Sequence, residues 1–301
     1  VALFIRSIYW SSALSLAYIY LLYRSHPLRR IPTVPMMTVF VVGMLSVLPV
    51  VVVRRVLPLD VGALDPVFVA PLLEEAVKLA VFAAAIRRLR FPDVIEPLDI
   101  AVYLGVLGVG FGIYEDFSYV FAASAPSWTT GDVARFSEVF RWAVVARAFP
   151  GHILFNGIAG FFVGEGLLDP RRWRRLAGWT AGFAVAVAAH AAFNAVAATG
   201  AIPLLTYCVA LVGAFLGLRQ RAVSRSPFRA LIRLAEGERV DWRHERSPVE
   251  LLFAEGFDWP GTRRRGFFQF YPIALSLAVL FPLLVSGVYL LQRAIIAVTG
   301  G

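Results

Sequence analysis

Lysine is almost missing from this chain: of 29 basic residues only Lys78 is lysine, and the rest are arginine. Charge as a whole is scarce, at 16% of residues, where a soluble domain carries about a quarter. Cysteine is reduced to Cys208, which lies in an apolar run and excludes an intramolecular disulfide. Alternating short strands are also lacking, so a membrane β-barrel is excluded in favour of helices. What fills the space is apolar: 59% of the 301 residues are hydrophobic or aromatic, and the mean hydropathy is +0.71.

Apolar runs of about twenty residues recur, each long enough to cross roughly 30 Å of hydrocarbon as a helix. Backbone polar groups in lipid must be satisfied within the segment, so the expectation is an all-α polytopic membrane bundle. About eight spans are expected, near 3–23, 33–53, 67–86, 98–121, 142–166, 176–198, 201–218 and 268–291. The organisation follows: residues 1–66 hold two N-terminal spans, 67–198 a four-span core, 199–218 a seventh span, and 268–301 a last one. Residues 1–23 are apolar for too long to be a cleaved signal peptide and read as an uncleaved span.

Net charge is +9, but the arginines cluster at helix ends, where membrane topology and anionic lipid account for them and nucleic acid is not needed. Arg24, Arg29 and Arg30, then Arg87, Arg88 and Arg90, then Arg171, Arg172, Arg174 and Arg175 mark alternate loops. The positive-inside rule places these in the cytoplasm and both termini outside. The long polar segment 219–267 falls on the cytoplasmic side, with eleven arginines interleaved with Phe228, Leu231, Ile232 and Leu251. It carries helix starts at Ser226-Pro227 and Ser247-Pro248, the second with Glu250 at the capping-box position and Gly256 as a stop. It reads as a helical hairpin lying on the anionic inner leaflet, in preference to a partner-binding domain.

A charge at the bilayer centre costs roughly 2.5–3.5 kcal/mol even on lenient insertion scales, so buried ionisable residues carry the information. Glu74, Glu75 and Lys78 fall in the third span, with Lys78 within reach of either carboxylate at i,i+4 or i,i+3. Glu115 and Asp116 fall near the end of the fourth, behind Gly105, Gly108 and Gly112, which allow close helix approach. His152 lies in the fifth, and His190 and Asn194, at i,i+4, in the sixth. At 1.5 Å per residue, Glu74, Glu115, His152 and His190 lie roughly 9–15 Å below the outer surface, so four spans deliver polar groups to one layer.

The ordered set resembles the PrsW family of intramembrane proteases, within the CAAX-protease and bacteriocin-processing superfamily. The matching motifs are Glu-Glu-x-x-Lys (Glu74, Glu75, Lys78), Phe-x-x-x-Glu (Phe111, Glu115), an isolated His152, and His-x-x-x-Asn (His190, Asn194), all within 71–194. The resemblance implies hydrolysis of a peptide bond in or beside the membrane, in a membrane-anchored regulatory protein such as an anti-sigma factor. The use of arginine in place of lysine across the chain reflects genome composition and points to a GC-rich prokaryote, hence a prokaryotic cell membrane. The superfamily's prenyl-protease branch has histidine where this chain has Glu115, so that branch's mechanism cannot be carried over whole.

Two versions of the chemistry remain. In the metal-free one, Glu74 is the general base, Glu75 and Lys78 hold it, His152 and Glu115 orient water, and His190 and Asn194 donate to the oxyanion. In the other, Glu74, Glu115, His152 and His190 hold zinc with a position open for water. The metal-free version is preferred because no HExxH is present and carboxylates to support ligating histidines look few. Two other classes compete: a proton-coupled transporter, which would show repeated halves that are not found, and a non-catalytic scaffold of the same superfamily.

Overall fold

The computed structural model describes residues 2–27, 31–57, 64–89, 96–130, 151–237 and 283–298, with isolated positions at 62, 94 and 137–138. Ten α-helices account for nearly all of the described residues, and none of these is a strand: α1 Ala2–Ser25, α2 Thr33–Leu45, α3 Val47–Val56, α4 Ala70–Leu89 and α5 Pro97–Thr130, then α6 Gly151–Leu168, α7 Arg172–Ala197, α8 Ala201–Ser224, α9 Pro227–Ala235 and α10 Leu283–Val298. Five stretches are long and apolar enough to cross a membrane: Thr33–Val56, Pro97–Ala122, Gly151–Leu168, Arg172–Ala197 and Ala201–Ser224. The chain is therefore a polytopic helical membrane protein. Helix α4, which carries Glu74, Glu75, Lys78, Arg87 and Arg88, is 20 residues long but too charged to meet the same criterion.

Two departures from uninterrupted helices trace to proline. The second span breaks at Ser46, because Pro49 has no N–H for the Leu45 carbonyl and Ser46 Oγ donates back to Gly43 O at 2.6 Å. Ahead of α4, Pro71 likewise removes a bond to Val67, and Asp65–Val69 widens into a π-helical turn closed by Ala70 N–H on Asp65 O. The π turn lies one helical turn from Glu74. Arg54 of α3 closes over the same turn, with a guanidinium nitrogen 2.8 Å from both oxygens of Asp65.

Helix α5 is the axis of the bundle: 94% of its apolar window is buried, against 22% for α7 and α8, which turn most of their surface outward. Glycine lets α5 sit against its neighbours backbone to backbone. A Cβ on Gly110 would come 2.1 Å from Phe40 O of α2, and one on Gly160 of α6 would come 2.5 Å from Ala101 Cα. Gly108 is equally committed, since a Cβ there would meet His152 O at 2.4 Å. This contact fixes the height of His152 against the Glu115 helix.

The described part of the polar segment bears out one helix start. Pro227 is the first residue of α9 behind Ser226, and Phe228 and Leu231 turn into the protein while Arg229 and Arg233 face out. The second helix start, at Ser247-Pro248, lies outside the described residues, as do 142–150 of the fifth expected span and 268–282 of the eighth.

At the end of the bundle opposite the Glu/His layer, His26 follows α1 and packs on the first turn of α5. Its Nε2 lies 2.6 Å from Glu96 Oε1 and 3.4 Å from Asp99 Oδ1, with all three side chains at or below 3% exposure. Burial would lower the His26 pKa, but hydrogen bonds and charge from Asp99 and Glu96 overcome it and raise it to about 9.

Candidate active site

Helices α4, α5, α6 and α7 each bring one or more ionisable groups to a single cluster, as the depth argument from the sequence requires. Glu75 is its hub. Its Oε1 accepts from Lys78 Nζ at 2.6 Å and lies 2.9 Å from His190 Nδ1, and both Glu75 and Lys78 are fully buried. Lys78 Nζ also lies 2.9 Å from His152 Nδ1 and sits 4.1 Å from the centre of the Phe111 ring. His152 Nε2 completes the chain to Glu115 Oε2 at 2.6 Å.

These contacts define proton positions. An ammonium only donates, so with Lys78 charged His152 Nδ1 accepts, and its Nε2–H donates to Glu115. The Glu75 carboxylate only accepts, so His190 donates through Nδ1–H. Lysine is suited to this place because a compact ammonium can serve two acceptors on different helices, whereas a planar guanidinium would need more room.

Glu74 differs from its neighbour. Its Oε2 is buried without a hydrogen-bond partner among the described residues and lies 4.0 Å from His190 Nδ1. The carboxylate is not wholly enclosed, with 14% of its side chain exposed against none for Glu75. Both carboxylates keep a buried Oε2 without a partner among the described residues, but Glu75 is bound into the scaffold through Oε1 and shut off from solvent, whereas Glu74 stays partly exposed.

Asn194 is the one expected site residue that stands apart from the ionic cluster. Its Nδ2 donates to Pro66 O at 2.8 Å, joining α7 to the π turn ahead of Glu74. It still lines the cleft that opens beside the cluster, together with Glu115, Asp116, His152, His190 and Phe193. Ser15 and Tyr18 of α1 form part of that wall, and nothing in the motifs singled them out. Two aromatic contacts were missed as well. Phe155 stacks on His190 with ring centres 5.0 Å apart, and Phe111 meets His152 edge to face, also at 5.0 Å. The i,i+3 spacing of His152 and Phe155 was the signal available for the first. Asn156, buried one turn on, donates its amide to His152 O at 3.0 Å.

Acidic and histidine side chains from four helices of a polytopic membrane protein meet beside a cleft, and carry the kinds of group that acid–base chemistry uses. The model of the PrsW family, described as intramembrane metalloproteases, matches residues 32–218, and the chain belongs to that family. It is thus a multi-pass membrane peptidase. No curated protein and no solved structure matches the chain. The family match extends beyond 71–194 to take in α2, α3 and α8, while α1, α9 and α10 lie outside it.

Proposed function

We propose that this protein hydrolyses a peptide bond of a membrane-anchored protein, an anti-sigma factor being one candidate, with Glu74 activating the water. The observation that carries the reading is the unequal use of the two adjacent carboxylates. Glu75 is fully buried and its Oε1 is taken by Lys78 and His190, whereas Glu74 is 14% exposed, with Oε2 unpartnered among the described residues and 4.0 Å from His190, which lines the cleft. A carboxylate held out of water is a stronger base than one in solution, and a general base contributes about 10²–10⁴-fold to such a reaction.

In this scheme Glu74 removes a proton as the water oxygen attacks the scissile carbonyl carbon. The oxyanion that forms is met by the remaining N–H of the Asn194 amide, and by His190 when both of its ring nitrogens already carry protons, a state that the Glu75 carboxylate behind Nδ1 favours. When the C–N bond breaks, Glu74 returns its proton to the leaving nitrogen, giving a free carboxylate and a free amine. Lys78, His152 and Glu115 are positioning residues: they form a continuous chain that holds α4, α5 and α6 at fixed spacing.

The family's description raises the question of a metal. Glu74, His152 and His190 each offer a donor atom, all within 4.8 Å of one another. They do not fit a divalent ion in this arrangement. One nitrogen of His152 faces the Lys78 ammonium and the other faces Glu115, and the ammonium is a fixed positive charge beside any ion seated there. The concern that carboxylates behind the histidines are few carries less weight than it did from the sequence, because Glu75 backs His190 and Glu115 backs His152. Lysine 78 is what favours the metal-free version.

The experiment is cleavage of candidate single-span substrates in proteoliposomes by wild-type protein and Glu74→Gln. Loss of cleavage in a folded, inserted variant supports the reading, and full activity in Glu74→Gln ends it. A proton-coupled carrier would instead move a solute and leave every candidate substrate intact.

A further inference from the structure

The cluster of His26, Glu96 and Asp99 lies away from the candidate active site and is not used by it. From Asp99 to Glu115 is sixteen residues along α5, or about 24 Å at 1.5 Å per residue, so the two clusters lie at opposite ends of the bundle. Two features set the second one apart from an ordinary helix cap. Asp99 is accounted for as a cap, since its Oδ2 accepts from Glu96 N–H at 3.0 Å at the start of α5. Glu96 is not. Its carboxylate is 97% buried, faces His26, and keeps Oε2 without a hydrogen-bond partner among the described residues. His26, Glu96 and Asp99 also each offer one ligand atom, all within 4.8 Å of one another.

We propose that this cluster is a binding site for one divalent transition ion, bound by His26, Glu96 and Asp99. One imidazole and two carboxylates form a mixed nitrogen–oxygen donor set, which suits Mn²⁺, Fe²⁺ or Zn²⁺ better than Ca²⁺ or Mg²⁺, whose preference is for oxygen alone. A metal ion seated there would use the spare Glu96 oxygen. The ion would tie the chain leaving α1 to the first turn of α5, beside the point where Arg219 Nε of α8 donates to Ser25 O at 2.5 Å. Its role is to fasten α1 to α5 at the end of the bundle remote from the cleft.

The test is metal stoichiometry of purified protein dialysed against Mn²⁺ or Zn²⁺, with thermal stability as a second readout. Four proteins are compared: wild type, Glu96→Gln, His26→Asn, and a Glu74→Gln/His190→Asn variant that disables the other cluster. Wild type and the Glu74→Gln/His190→Asn variant should each bind about one equivalent and melt higher with metal than with chelator. Affinity should fall by at least about tenfold in Glu96→Gln and His26→Asn, since even outer partners of a metal contribute that much. If Glu96→Gln and His26→Asn do not fold, the stability shift of wild type and of the Glu74→Gln/His190→Asn variant decides alone. No binding and no stability shift in wild type would overturn the proposal. So would binding that survives Glu96→Gln and His26→Asn but disappears in Glu74→Gln/His190→Asn.

Discussion

Lys78 Nζ lies 2.9 Å from His152 Nδ1, joining α4 to α6 through the chain's sole lysine. The ammonium is fully buried and is held by Glu75 Oε1 at 2.6 Å on its other side. The residue is therefore a resident cation that orders the imidazole of one helix and the carboxylate of another at once.

The first concerns the ion pair itself. Glu75→Gln leaves the Lys78 ammonium buried beside neutral partners, a change that costs about 3–5 kcal/mol in comparable sites. Lys78→Met in the same chain removes the uncompensated charge, so the double variant should be more stable than Glu75→Gln alone. Thermal unfolding of the three proteins in detergent checks the order. Equal stability of Glu75→Gln and wild type would mean the pair does not form.

The two glutamates should separate by what they lose. Glu74→Gln is expected to lower cleavage by about 10²-fold or more, as removal of a general base does, with melting temperature close to wild type. Asp116→Asn should keep its activity, because no link of the chain from Glu75 through Lys78 and His152 to Glu115 passes through it. Rates and melting curves on the same preparations test both.

Backbone packing supplies a contrast within one residue type. Gly110→Ala places a methyl 2.1 Å from the Phe40 carbonyl, which cannot yield without moving α2, and should prevent folding or accumulation. Gly217→Ala in α8 meets nothing within 4 Å and should be neutral. Expression and gel filtration of the two variants distinguish a committed glycine from an idle one.

Orientation is tested by protease protection in intact cells. A tag within 219–267 should be shielded and a tag after Gly301 accessible, as the alternation of arginine clusters requires. The reverse pattern would place the cluster in the inner half of the membrane.

Much of this was legible because intramembrane charge is expensive, so Glu74, Glu75, Lys78, Glu115, His152 and His190 stood out against apolar sequence, and helical rise placed them at one depth. The division of labour between Glu74 and Glu75 was not legible. Lys78 sits at i,i+4 from one and i,i+3 from the other, and only packing chooses. Asn194 shared a helix face with His190 in the sequence, yet its amide goes to Pro66 O on a π turn that no periodicity announces. His26 went unread because its partners lie 70 and 73 positions away in sequence, at the start of another helix. The break at Ser46 was open to prediction from Pro49, whose missing N–H leaves the Leu45 carbonyl without its helical partner.

The central claim is that Glu74 activates water without a metal, and chelation tests it most directly. Cleavage of a membrane-anchored substrate by purified, reconstituted protein is measured before and after exhaustive treatment with a strong chelator, with gel filtration showing that the protein stays folded. The account predicts an unchanged rate in wild type and one lowered by about 10²-fold or more in Glu74→Gln under either condition. A rate that collapses in folded wild-type protein and returns on adding zinc would contradict it.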